Sequence, residues 1–319
     1  MEKVFISQLQ DKQSIQSLFL AKGKTLLKDK KGKSYMSFLL SDSTGDVDAK
    51  AWDNVEQIGG QFESGDIILV KGTVQLYQNR KQIVIHKIER FEGEVDLKDY
   101  IQSSKTHPEE LFLELLKIVE TVESVALKTL ILGVLSDPTI KPLLLVAPAA
   151  KSVHHAKFGG LLEHIVSIVK LAQLICKNYP QLNLDLLIYG AIFHDIGKIW
   201  ELKIDEGGIR YTDRGRLLGH MLMACELVEK KTQSIFNFPP QLKDICKHMI
   251  LSHHGKHEYG SPKLPQTLEA YVLWMLDEMD SKIDSIQTAM SLTQGDEPWS
   301  LYSQLFERNF YVKGNKWSE

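Results

Sequence analysis

Cysteine is scarce in this sequence, with three residues in 319, at Cys176, Cys225 and Cys246. An odd number in apolar, helix-like surroundings does not make a disulfide framework. It reads as reduced, buried thiols in a cytoplasmic protein. Long apolar runs are also missing, and none approaches the roughly 20 residues that span a bilayer. The opening residues Met1-Glu2-Lys3-Val4-Phe5 lack the basic-then-apolar layout of a secretory leader. No large excess of one charge sign is present, the net charge being -3. These absences leave a soluble chain without a membrane partner, long enough for two domains with their own cores.

The small net charge hides an asymmetry. Residues 1–93 carry 14 Lys and Arg against 12 Asp and Glu, so the remainder of the chain carries -5. The basic residues of the first part are clustered, and clustering is what a polyanion feels. This part reads as β. Strand composition appears at 17–22, 34–40, 47–52, 67–74 and 82–86, with clear alternation in the third run and broken alternation in the fourth. A short helical piece, Asn54 to Ile58, falls between the third and fourth runs. Five strands with one helix before the fourth is the order of an OB-fold barrel.

Such barrels bind single strands with one sheet face and the first and fourth inter-strand loops. Here the first loop carries Lys28, Lys30, Lys31 and Lys33, and the fourth carries Tyr77, Arg80 and Lys81. Lysines attract phosphates without reading sequence, and Tyr35 and Tyr77 could stack on bases. A solvated hairpin loop would use the same lysines. Phe38 and Trp52 read as core.

The polar, turn-rich stretch from Gly93 to Pro108 marks the boundary. The expected organisation is a barrel over 1–95, a linker over 96–108 and a helical domain over 109–319. Pro108-Glu109-Glu110 suits a helix start, and apolar residues from Leu111 to Val125 follow helical spacing.

The helical part holds an ordered set of metal-binding residue types. His164 follows Gly159-Gly160-Leu161-Leu162-Glu163, and His194-Asp195 ends an apolar run. His220 follows Leu218-Gly219, His253-His254 closes a fourth segment, and Asp277 and Asp280 lie in a fifth. Imidazole nitrogen and carboxylate oxygen both bind divalent cations. Each segment falls on a helix or its end, so short connections could gather them in a bundle core. Ahead of the set, His154-His155 could be ligands, phosphate contacts or solvent-exposed filler, with His155 the better candidate for a substrate contact.

This order resembles the HD superfamily of metal-dependent phosphohydrolases from about Pro148 to Asp280. The resemblance implies that His164, His194, Asp195 and Asp277 hold one metal. Asp277 is chosen over Asp280 because the family's aspartate comes first in an Asp-x-x-Asp stretch. His220 and His253 match the second-metal ligands of binuclear members, with His254 as the alternative. Asp195 and Lys198 would then be catalytic, Lys198 contacting a phosphate or orienting a ligand. An ordinary Asp-Lys helix pair is the other reading of Lys198. Hydrolysis of a phosphodiester needs a nucleophile at neutral pH and neutralised phosphoryl oxygens, and one or two divalent cations supply both. Mn²⁺ is the first expectation, with Mg²⁺, Fe²⁺, Co²⁺ and Ni²⁺ also compatible.

The first ninety residues resemble OB-folds of the tRNA-anticodon-binding type through Phe38 to Trp52 and Gly65 to Gly72. A barrel followed by an HD domain, with Gly197-Lys198-Ile199-Trp200-Glu201-Leu202 and Arg216-Leu217-Leu218-Gly219-His220, is similar to the YhaM-type 3′–5′ exoribonucleases of bacteria. That resemblance implies hydrolysis of single-stranded RNA, and possible single-stranded DNA, to nucleoside 5′-monophosphates. Arg210, Tyr211, Arg214 and Arg216 would then be candidates to line the approach path. A nucleotidase or cyclic-nucleotide phosphodiesterase with a regulatory barrel is the alternative. Apolar helices such as 127–135 leave homo-oligomer formation open.

Overall fold

The computed structural model describes residues 3–29, 31–77, 80–100, 106–151, 157–205, 208–291, 293, 297–300 and 302–312. The N-terminal part is a closed five-stranded barrel in the order β1-β2-β3-β5-β4. Its strands are β1 (Ser14–Lys28), β2 (Ser34–Asp42), β3 (Gly45–Ala51), β4 (Ile67–Tyr77) and β5 (Arg80–Arg90), with helix α1 (Val55–Gly60) between β3 and β4. All neighbours are antiparallel except β3 and β5, which run parallel over 48–50 and 82–84. Period-two burial builds the core: Met36, Phe38 and Leu40 point inward from β2, and Val47, Ala49 and Ala51 from β3. The small alanines of β3 leave room for the Phe38 ring against Phe62.

The broken alternation of β4 has a physical reason. Ile68 and Val70 fill the barrel, while Ile67 faces outward and is still buried. Leu20 of β1 does the same. Both meet Tyr100 and Ile209 in a small second cluster between the barrel and the helical part.

Helices dominate the rest: α2 (Pro108–Val119), α3 (Val125–Leu135), α4 (Lys141–Val146), α5 (Gly160–Asn178), α6 (Leu184–Phe193), α7 (Lys198–Glu201), α8 (Asp213–Gln233), α9 (Pro240–Ser252) and α10 (Leu268–Ser291). Helix α6 is buried from Leu187 to Phe193 and forms the axis of the core, with α5, α9 and α10 around it. Side-chain caps at Ser124, Asn183 and Thr212 satisfy first-turn N–H groups of α3, α6 and α8. The expected helical domain also carries a short hairpin of β6 (Leu202–Asp205) and β7 (Gly208–Tyr211) between α7 and α8.

Trp52 is also not core. It is half-buried and stacks on Tyr35 at 4.5 Å. The three cysteines are free, Cys225 and Cys246 buried and Cys176 partly so. Among the described residues, no helix is long and apolar enough to cross a membrane.

Candidate metal centre

Helix α6 delivers His194 and Asp195 at its C-terminal end, where the chain turns through Ile196 and Gly197 into α7. The turn is tight because α8 lies against it. A Cβ on Gly197 would stand 2.1 Å from the His220 carbonyl oxygen. Helix α8 contributes His220 at a kink, where Gly219 takes φ 72° and ψ 158°, a conformation essentially reserved for glycine. His164 comes from α5, His253 and His254 from the end of α9, and Asp277 and Asp280 from α10.

Two groups of candidate ligands result. Atoms of His164, His194 and Asp277 lie within 4.8 Å of one another, and so do those of His220, His253 and His254. Asp195 stands between the groups and is 2 % exposed. Its Oδ2 lies 3.4 Å from His194 Nε2 and 3.9 Å from His164 Nε2, and accepts from Lys198 Nζ at 2.6 Å. Its Oδ1 lies 3.4 Å from His220 Nε2 and 3.6 Å from His253 Nε2.

The outer nitrogen of every ring is occupied. His194 Nδ1 donates to the Ala191 carbonyl at 3.0 Å, His253 Nδ1 to Ile250 at 2.7 Å and His254 Nδ1 to Tyr259 at 2.9 Å. His164 Nδ1 bonds Asp280 Oδ2 at 2.7 Å, and His220 Nδ1 bonds Glu201 Oε1 at 3.1 Å. With Nδ1 spent on these partners, Nε2 of the neutral ring is an acceptor, which is the tautomer a cation needs. Asp195 Oδ1, His220 Nε2 and His253 Nε2 are buried with no hydrogen-bond partner among the described residues. Buried polar atoms are nearly always satisfied. Three acceptors converging without a donor are what a divalent cation would satisfy, so the donor set fits the metal.

Electrostatics agree. Burial alone would raise the Asp195 carboxyl, but Lys198 and His194 outweigh it and hold it well below the carboxylate range. Burial keeps His253 well below the usual imidazole value and therefore neutral. His164 is the exception. Burial would lower it, yet Asp277 and Asp280 raise it to about 9, and its proton sits where a cation would replace it.

Nothing in the sequence marks Glu201 for chemistry, and Asp280 reads there as an alternative to Asp277. Both prove to hold histidines. Asp280 accepts from His164 and from Ser167 Oγ, and its position one turn past Asp277 is the signal that separates the two roles. Glu201 accepts from both the backbone N–H and Nδ1 of His220.

On the barrel, Lys50 lies over the rings of Tyr35 and Tyr77, at 5.6 and 5.5 Å from their centroids. With Tyr35 stacked on Trp52, this makes one aromatic and basic face, and Tyr77 is 52 % exposed. Lys28 and Lys31 are exposed, while Lys33 pairs with Asp53. Lys81 is half-buried. Arg80 departs from the expectation: it is 8 % exposed and donates to the Trp299 carbonyl of the C-terminal segment, so it does not stand in an open loop. Lys30 and His155 lie outside the described residues. Arg210 and Arg214 are also engaged, with Asp205 and Glu226.

Residues 20–91 match the family model of the OB-fold nucleic acid binding domain, and residues 161–282 match the HD domain. The chain is 30 % identical over 304 residues to the 3′–5′ exoribonuclease YhaM of Halalkalibacterium halodurans, covering 94 % of this chain and 93 % of that one. Among solved structures, it is similar to the second OB-fold domain of replication protein A from Methanococcus maripaludis, with TM-score 0.24 and 23 % identity over 30 % of this chain and 100 % of the other. An OB domain from Methanosarcina mazei gives TM-score 0.26 and 19 % identity, over 34 % of this chain and 96 % of the other.

Proposed function

The chain belongs to the YhaM family of 3′–5′ exoribonucleases, and from that premise we propose that it shortens single-stranded RNA from the 3′ end at the centre around Asp195. It is a metal-dependent hydrolase of nucleic-acid phosphodiester bonds. The observation that carries the reading is the position of Asp195, one oxygen turned to each group of histidines.

In this reading His164, His194, Asp195 and Asp277 would hold one cation, and His220, His253 and His254 would hold a second beside Asp195. Bound cations would supply a Lewis acid for the phosphoryl oxygens and a nucleophile at neutral pH; the carboxylates of Asp195 and Asp277 suit manganese and magnesium, and the imidazoles suit iron and nickel. The chain's own groups do the rest. Lys198 neutralises Asp195 through an ion pair at 2.6 Å, and its ammonium is proposed to meet a substrate phosphate. Glu201 and Asp280 fix the rings of His220 and His164. His155 is kept as a proposed substrate contact.

The barrel supplies the grip. Tyr35, Trp52 and Tyr77 offer faces for bases, and Lys28, Lys31, Lys33 and Lys81 offer charge for phosphates, with Lys30 adjoining them in sequence. Arg80, committed to Trp299, is left out of this surface. The same face would accept single-stranded DNA. An exposed apolar stripe along α10, Leu268, Tyr271, Met275, Met279 and Ile283, supports a homo-oligomer. Three unpaired thiols are in keeping with the cytoplasm.

The test is a 5′-labelled single-stranded RNA incubated with Mn²⁺ or with EDTA. A ladder that shortens from the 3′ end and releases 5′-monophosphates only with metal is expected. Intact RNA beside cleaved mononucleotides or cyclic nucleotides would replace the exonuclease with a small-molecule phosphodiesterase.

A further inference from the structure

The β6–β7 hairpin supplies no candidate ligand, yet it touches both halves of the chain. At its tip Gly208 forms an antiparallel bridge with Asp66, just ahead of β4. The adjoining glycines interlock. Gly65 and Gly208 both take φ +96°, a region open to glycine and strained for other residues. A Cβ on Gly208 would stand 1.9 Å from the Gly65 carbonyl oxygen, and one on Gly65 would stand 2.5 Å from that of Ile209. Neither backbone tolerates a side chain at this crossing. Beside it, Ile209 is fully buried against Tyr100 and against Leu20 and Ile67, the two residues that break the barrel's inward alternation.

The other end of the hairpin reaches the metal centre. Thr212 N–H donates to the Glu201 carbonyl at 2.9 Å, and Thr212 Oγ1 donates to the Trp200 carbonyl at 2.7 Å, closing the strands at their base. Glu201 then accepts from His220 through its side chain. A continuous chain of short contacts therefore runs from the barrel rim, through Gly208 and the strands, to Glu201 and His220.

We infer that the hairpin is a positioning element that registers the strand-binding barrel against the metal centre. The inference rests on the reading of the chain as an exonuclease whose substrate is held on the barrel. A small interface between domains ordinarily permits relative motion, and the buried cluster here is small. The interlocked glycines remove that freedom at one point. A long strand gripped by the barrel then presents its end at a fixed reach. A small phosphodiester, which never touches the barrel, gains nothing from this. The two substrate classes should therefore respond differently when the lock is opened.

The experiment uses the full chain with Mn²⁺ and the variants Gly208→Val and Ile209→Ala. Ile209→Ala is the milder change and keeps the test valid if Gly208→Val fails to fold. Three quantities are read: shortening of 5′-labelled single-stranded RNA, hydrolysis of bis(p-nitrophenyl) phosphate, and the radius of gyration from small-angle X-ray scattering. Gly208→Val is expected to lose roughly 100-fold in kcat/KM on RNA, the order of effect that misplacement of a substrate produces. Hydrolysis of the small diester is expected to hold, and the radius of gyration to rise. Ile209→Ala should show the same split to a smaller degree. Parallel loss on both substrates would overturn the inference and make the hairpin a mere support for His220. An unchanged radius of gyration with unchanged RNA shortening would overturn it as well. If the wild type cleaved the small diester and left RNA intact, the exonuclease reading would fall instead, and the radius of gyration alone would decide whether the hairpin docks the barrel.

Discussion

In the proposed reading, Asp195 is the side chain on which the chemistry turns. It is buried, held ionised by Lys198 and His194, and placed between two groups of nitrogens. The residues behind the histidines set how well those nitrogens are aimed. Glu201 is the clearest case, because its one carboxylate takes both the N–H and the ring of His220. Glu201→Gln keeps the size and removes the charge. It is expected to cost roughly 10- to 100-fold in metal affinity or activity, the range found for partners of metal-bound histidines. Titration of Mn²⁺ into wild type and variant checks this, and affinity equal to wild type would remove Glu201 from the centre. At this scale the residues that the fold gathers were legible in the sequence, because histidines and aspartates in this order are rare enough to stand out. The partners were not, since a glutamate that bonds a ring 19 positions away leaves no local spacing to read. Arg80 shows the opposite failure. Its place in a basic loop suggested phosphate, while the fold spends it on a carbonyl of the C-terminal segment.

Elements deliver these residues through two departures from ideal helix. The turn between α6 and α7 needs Gly197 because α8 crosses it. The kink in α8 needs Gly219 because its φ and ψ lie outside what side chains adopt. At Gly219 there is space, as a Cβ would meet only Glu201 Oε1 at 3.9 Å. The cost of Gly219→Ala is therefore one of backbone strain, about 1–3 kcal/mol. A matching fall in unfolding free energy by urea titration, together with weakened binding at the His220 side, is the expected outcome. A variant as stable as wild type would show that the kink is not required. The strands and long helices were legible from period-two and helical spacing, with Ile67 and Leu20 as the informative exceptions. The β6–β7 hairpin was missed because its two strands span only 202–205 and 208–211. A four-residue strand is too short for alternation to declare itself among helices. The turn signal was present, in Glu206-Gly207-Gly208.

The whole molecule joins an OB-fold nucleic acid binding domain to a centre proposed to cleave the strand it holds. Each half uses the physics it is suited to. The barrel presents aromatic faces and lysines at its surface, where a flexible polyanion can reach them. The helical core buries carboxylates and imidazoles, where a bound cation would stabilise charge that water would otherwise screen. A flexible single strand can reach both, and the kinship with an exoribonuclease makes RNA the proposed substrate. The division into barrel and helical part was legible from composition and strand order. The contact between them was not, because it depends on two glycines, Gly65 and Gly208, that are distant in sequence and meet only when both parts are folded. The most direct measurement pairs metal content with RNA shortening in the same samples. Wild type, Asp195→Ala and the double variant His220→Ala/His253→Ala would be loaded with Mn²⁺, desalted, and analysed by elemental mass spectrometry beside the 5′-labelled RNA assay. Wild type is expected to retain metal and shorten RNA, the double variant to retain less, and Asp195→Ala to lose both metal and activity. Continued shortening of RNA by Asp195→Ala would contradict the assignment of catalysis to this centre.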